Sequence, residues 1–274
     1  MKKNYLNNKD ILLEIHRSKN SFSSYSQPNY HQFDLILYSI EEINHNNIIE
    51  AKKAHAKRKS IEAYEQAKEL NSKVKQAEFE IPYTEITNNQ LIFRVMTYDH
   101  IPDEPGRKKN PKTVADTKTK LNFPPFQHWK FNDSNQLVCV GKSHWKNDVH
   151  TGNFCLTHGI ATDKLALMWL KLCDRYATRG NVRGYTYNDE MKGQAILQLT
   201  QIGLQFDESK SANPFAYYTA AVTNSFVRVI NLEKRNQNIR DDILEMNNMN
   251  PSYTRQAQDE WAVSLKREAN SKNY

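Results

Sequence analysis

Residues 160–235, IATDKLALMWLKLCDRYATRGNVRGYTYNDEMKGQAILQLTQIGLQFDESKSANPFAYYTAAVTNSFVRVINLEKR, decide the fold class. Leu165, Met168, Trp169, Leu172, Cys173 and Tyr176 recur at helical spacing and form one apolar stripe of an amphipathic helix. Gly180 ends that helix, since glycine readily leaves the right-handed region at a helix C-terminus. A second helix is expected from about Asn188, with Met191, Ala195, Leu199 and Ile202 facing inward and Gly203 near its end. A third begins at Asn213-Pro214, a capping side chain followed by proline at the first helical position. Phe215, Tyr218, Val222, Phe226 and Val229 give its periodic face, and it runs on into Glu233-Lys234-Arg235.

Moving outward, the N-terminal side is more varied. Asn8 to Lys19 reads as a short helix, capped by Asn7 or Asn8, with Ile11, Leu12 and Ile15 on one face. Ser21 to Gln32 reads as a loop. The run Phe33 to Ile40 is a buried strand or a short helix, which periodicity does not decide. Ile48 to Phe79 is rich in Ala, Lys, Glu and Gln without Gly or Pro, and reads as one long helix. Its cluster Lys52, Lys53, Lys57, Arg58, Lys59 can touch phosphates, but reads rather as a solvated face of that helix. Ile81 to Tyr98 carries strand signals, IPYTEI and then LIFRVMTY. Residues 99–122 read as a charged linker. Leu137 to Val140 reads as a strand, so residues 81–155 form a small mixed module with some sheet. The polar tail from Asn236 holds a further helix around Ala257 to Ala269.

The bulk properties fit this outline. The 274 residues are 38% hydrophobic and 25% charged, with net charge +7; mean hydropathy is −0.81 and the pI about 9.1. A basic excess favours polyanionic partners, because each phosphate neutralised releases counterions. Cys139, Cys155 and Cys173 make no even disulfide framework, which fits a reducing cytoplasm. The start MKKNYLNNKD has no apolar stretch behind it and is not read as a signal peptide, and no apolar run is long enough to span a membrane.

Three constellations bear on chemistry. Cys139, His144, His150, Cys155 and His158 are potential zinc ligands, but their spacings of five, six, five and three lack a CxxC pair, so they read as packing and surface residues. His144-Trp145-Lys146-Asn147, with His150 and Asn153, is loosely similar to nuclease loops, while HExxH, GxSxG and phosphate-binding loops are missing. Phe215, Tyr217 and Tyr218 cluster at a helix start, with Arg228, Lys234 and Arg235 following. Rings there can stack on unpaired bases, at about 1–3 kcal/mol per base, while cations hold the backbone. Equally, the rings can be core and the cations a solvated face.

The pattern of motifs carries a resemblance. Asp174-Arg-Tyr-Ala-Thr-Arg-Gly180 resembles the KKYTNRG-like end of a region-2 helix in sigma-70 family factors. Glu190-Met-Lys-Gly-Gln-Ala-Ile196 is like that family's DLIQEGNIGL helix, Phe206-Asp-Glu-Ser-Lys210 like its FDPEKG, and Asn213-Pro-Phe-Ala-Tyr-Tyr-Thr219 like its FSTYAT promoter-melting segment. The likeness is closer to the late-transcription sigma factors of T-even-type bacteriophages, which carry NFDETK followed by NPxAYxT and a basic helix. Asn7-Asn-Lys-Asp-Ile-Leu12 is similar to their NNKELL start. The resemblance covers residues 3–19 and 157–236.

That resemblance implies a mainly α fold: a sigma region 2-like helical bundle with an inserted mixed α/β module. Residues 1–20 would be the N-terminal helix of the sigma domain, 21–156 the insertion, 157–240 the region 2-like domain and 241–274 a polar tail. It implies a protein of the infected host's cytoplasm, without cofactor, metal or catalysis of its own, that docks on host core RNA polymerase and opens an AT-rich −10-like late promoter. The docking helix would meet the clamp coiled coil of the largest subunit through Glu190, Gln194 and Gln198, with Arg179 nearby; the family's second acid falls on Gln194, so one charge is missing. Phe215 and Tyr218 fall on the positions that take flipped bases of the nontemplate strand, and Tyr217 is an added aromatic neighbour. Asn224, Arg228, Lys234 and Arg235 complete the DNA-binding set. The family's tandem tryptophans fall on Ala221 and Val222, as in phage late factors. A phage co-activator or sliding clamp is a further partner; Trp261, Val263 and Leu265 are the tail's only candidates for a clamp-binding peptide. The alternatives are a phage DNA-processing nuclease built on residues 123–158, or a polymerase-binding inhibitor.

Overall fold

The computed structural model describes residues 6–70, 74–102 and 121–271. It is a mainly helical chain carrying one mixed sheet. Helix α1 (Asn8–Ser21) starts at Asn7, whose side chain accepts from the Asp10 amide. Strands β1 (Ser23–Tyr25) and β2 (Leu35–Leu37) precede the long helix α2 (His45–Leu70). Strands β3 (Ile92–Met96), β4 (Phe126–Phe131) and β5 (Leu137–Ser143) follow, then a two-stranded ribbon of β6 (Trp145–Lys146) and β7 (Asn153–Phe154). The remaining helices are α3 (Asp163–Ala177), α4 (Asn188–Ile202), α5 (Pro214–Met246) and α6 (Tyr253–Ser271).

The sheet order is β1-β5-β4-β3-β2, antiparallel except for the β2–β3 pair. Parallel neighbours need a long crossover, and α2 supplies it. It packs on one sheet face over a core of Leu37, Ala51, Ala56, Ile86, Leu91, Phe93, Val95 and Phe131. Because side chains alternate along a strand, Arg94 points to the face opposite Phe93 and Val95.

Several sequence-based expectations need correction. Residues 21–32 are not all loop: Ser23–Tyr25 pairs with β5, and the Tyr25 ring lies where a Cβ on Gly141 would approach it to 2.4 Å. That pairing joins residues more than a hundred apart, so local pattern could not reveal it. IPYTEI is not a strand. Pro82 has no amide to give a ladder, and Tyr83–Glu85 turns in a 3-10 helix that drops Ile86 into the core. The long helix ends at Leu70, and Gln76–Phe79 forms a separate 3-10 turn. Most of the 99–122 linker lies outside the described residues. The tail helix is longer than expected, and α5 extends to Met246 before it.

The chain divides into two compact units, Met1–Leu172 with Gln198–Thr219, and Cys173–Leu197 with Ala220–Tyr274. In the first unit, α1, the sheet and the 206–210 segment share one buried polar cluster. Thr162, just before α3, donates through its hydroxyl to Glu14 and through its amide to the Ser18 hydroxyl, tying α3 to α1. In the second unit, Tyr176 meets Phe226 edge-on at 4.9 Å between centroids, and Met191, Ala195, Val222 and Val229 are buried. Asp241 accepts from the amide and hydroxyl of Ser252, which fixes the turn from α5 to α6.

Candidate nucleic-acid interface

Helix α5 begins as its sequence dictates. Asn213 Oδ1 accepts from the Ala216 amide at 3.1 Å, Pro214 follows, and the Phe215 amide donates to Asn8 Oδ1 at 3.1 Å. The three rings that follow have different surroundings. Phe215 is 39% exposed and points outward rather than into the expected core face. Tyr217 is half-buried, with its hydroxyl donating to the Ile202 carbonyl at 3.1 Å and its ring 5.6 Å from Phe206. Tyr218 is only 1% exposed. Its hydroxyl donates to the Gly203 carbonyl at 2.8 Å, its ring meets Trp169 edge-on, and burial pushes its phenol well above the usual range. Tyr218 is therefore a core residue here with no exposed ring face, and Phe215 is the exposed ring at the helix start. The reason is packing: Trp169 and Gly203 make a slot that Tyr218 fills, and a Cβ on Gly203 would fall 2.2 Å from the Trp169 ring.

Further along α5, Asn224, Arg228, Asn231 and Arg235 recur at helical spacing and are all exposed, with Lys234 exposed beside them. Val222, Phe226 and Val229 are buried on the other side. That arrangement can hold a phosphate backbone along the helix without reading bases.

On α4, Glu190 lies in the first turn, where a carboxylate is favoured by the helix dipole. Glu190 and Gln194 are exposed, Gln198 is half-buried, and Leu197 is exposed between them although aliphatic. Met191, Ala195 and Leu199 form the buried side. Arg179 is exposed, with its guanidinium 4.3 Å from the Tyr176 ring centre.

Sequence reasoning missed a buried ionic cluster in the first unit. Glu208, from the FDESK segment, accepts from Arg94 Nη1 of β3 at 2.8 Å and from Lys19 Nζ of α1, which also donates to the Phe206 carbonyl at 2.8 Å. All three side chains are almost wholly buried. Arg94 lies 3.8 Å from the Phe33 ring centre and 3.9 Å from that of Phe126, and its Nε donates to His128 Nε2 at 3.0 Å. His128 Nδ1 donates in turn to the Tyr30 carbonyl at 2.7 Å. Burial alone would raise the Glu208 carboxyl; Lys19 and Arg94 outweigh it and hold the group at about 2. His16 beside it is lowered to about 3, chiefly by burial and then by Arg94. One signal pointed here: an arginine at the centre of the apolar strand LIFRV needs a buried partner.

The His/Cys set at 139–158 does not converge. Among the described residues no group of three could hold a metal ion. His144 is instead stacked on Phe123 at 4.1 Å, and burial first, then neighbouring His100 and Lys19, lowers it to about 3. Among the described residues no helix is long and apolar enough to cross a membrane. Compared with known protein families, curated proteins and solved structures, the chain matches none.

Proposed function

We propose that this chain is a phage-type late sigma factor that binds host core RNA polymerase and opens an AT-rich −10-like promoter element. The reading rests on the order of the region 2-like motifs. The geometric observation that carries it is helix α5: a capped start with Phe215 outward, followed by exposed Asn224, Arg228, Lys234 and Arg235. In this reading Phe215 stacks on a base extruded from the nontemplate strand, and the cations hold the adjoining phosphates. Extruding a base costs a few kcal/mol, least where pairing and stacking are weak, which suits AT-rich sequence. Stacking on one ring offsets about 1–3 kcal/mol of that, so polymerase must supply the rest and the free protein should not melt duplex DNA. Tyr218 supports the helix start from within.

Docking is assigned to the exposed face of α4, Glu190, Gln194, Leu197 and Gln198, with Arg179. The clamp coiled coil of the largest subunit is the proposed partner surface. The test is capture of core enzyme by the full chain. Glu190→Lys with Leu197→Glu should abolish capture while leaving the helical circular dichroism unchanged, because both side chains are exposed. Undiminished capture by that double variant would remove α4 from the account.

A further inference from the structure

The C-terminal half of α5 carries a stripe that the proposed function does not use. Leu232, Asn236, Ile239, Ile243 and Met246 are spaced four, three, four and three residues apart, the repeat of a coiled-coil seam. The four apolar members are 51%, 48%, 53% and 83% exposed. Helix α6 does not cover them. It is held on another side of α5, where Gln237 donates to Ser252, Ser252 to Asp241, and Arg255 to Asp242 and Glu245. A contiguous exposed stripe of this kind marks an interaction surface, whereas single exposed aliphatics do not.

The flanking charges identify the occupant. Glu233 and Arg240 border one side of the seam, and Arg235 and Asp242 the other, where Asp242 also meets Arg255 of α6 at 3.2 Å. Two copies of this helix laid antiparallel would set Leu232 against Ile243 of the second copy and Asn236 against Ile239 of the second copy. In that register Glu233 lies beside Arg240 of the second copy, and Arg235 beside Asp242 of the second copy, each pair occurring twice by symmetry. A parallel arrangement instead brings Arg235 beside Arg240 of the second copy, a like-charge contact. The stripe is thus self-complementary in one direction, as a two-fold interface requires.

We infer that the chain forms an antiparallel homodimer through residues 232–246 of α5. The inference does not rest on the sigma-factor reading. If both hold, the dimer draws Arg235 into its flank, so self-association and use of that cation for DNA compete.

Sedimentation equilibrium of the full chain over a wide concentration range tests it. The expected result is a monomer–dimer equilibrium. Ile239→Glu should weaken the dimer at least tenfold without loss of helical circular dichroism, since the side chain is half-exposed. Arg240→Glu should also weaken it, by setting Glu beside Glu233 of the second copy at two places, and adding Glu233→Arg should restore it. A parallel dimer would be strengthened by Arg240→Glu, and that result would overturn the inference. So would a chain that stays monomeric at every concentration, leaving the stripe to a different protein, or a dimer indifferent to Ile239→Glu.

Discussion

Replacing Glu208 with Gln keeps the volume of the side chain but removes the carboxylate that meets both Lys19 and Arg94 in the buried cluster of the first unit. Breaking a buried ion pair by deleting one partner costs about 3–5 kcal/mol, because the remaining charge has neither water nor counterion. The proton equilibrium leads to a similar size. A carboxyl moved from its ordinary 4.5 to about 2 corresponds to about 3 kcal/mol at roughly 1.4 kcal/mol for each tenfold change. The sign follows from the lowered folded value: the stabilisation is complete above about pH 4.5 and is lost as pH falls towards 2. Urea unfolding followed by circular dichroism should therefore show Glu208→Gln less stable than wild type by about 3–5 kcal/mol at pH 7. The gap between the two proteins should close as the pH is lowered through that window. A deficit under about 1 kcal/mol at pH 7, the size of an exposed pair, or a gap that persists to pH 2, would refute the assignment of Glu208 as the buried counterion.

Other outcomes follow from the same geometry. His144 is buried and His16 half-buried, and each is lowered to about 3, so their protonation opposes folding and stability should decline as pH falls from about 6.5 towards 3; His144→Phe should flatten that part of the curve in pH-dependent urea titrations. Tyr218→Ala should cost about 3–5 kcal/mol in thermal unfolding, whereas Phe215→Ala should cost under about 1 kcal/mol, because only the first is core. Gly203→Ala should destabilise by about 1–3 kcal/mol through the Trp169 ring, again by thermal unfolding, and a neutral result would show that the Tyr218 slot is loose. Removing Arg228 or Arg235 should each lower the steepness with which DNA binding falls with salt by about one charge equivalent, read by fluorescence anisotropy across salt concentrations.

The helices from 163 onward were legible because their apolar residues repeat at helical spacing and their ends carry punctuation: Gly180, then Asn213-Pro214. The sheet was legible only where a strand was locally apolar, as at Ile92–Met96 and Leu137–Ser143. Ser23–Tyr25 was not, since nothing in Ser-Ser-Tyr marks a strand until Gly141 makes room for the tyrosine ring. In the candidate site, exposure of Asn224, Arg228, Lys234 and Arg235 agreed with a cation face. Phe215 and Tyr218 were read alike because both lie on the periodic face of one helix. What separates them is the Trp169–Gly203 slot, a tertiary feature that helical periodicity does not encode. The Glu208 cluster stayed hidden for the same reason: its members come from α1, β3 and the 206–210 segment, and only the lone arginine in LIFRV hinted at it.

In the proposed function, an outward ring at the α5 start takes a base out of the duplex when the chain is bound to polymerase. Its most direct measure is permanganate reactivity of thymines in an AT-rich −10-like template, with host core enzyme and this chain together. Wild type should render nontemplate thymines reactive only when both proteins are present, and Phe215→Ala should lose that reactivity while still co-purifying with the enzyme. Equal reactivity with Phe215→Ala, or none with wild type despite stable association, would contradict the account.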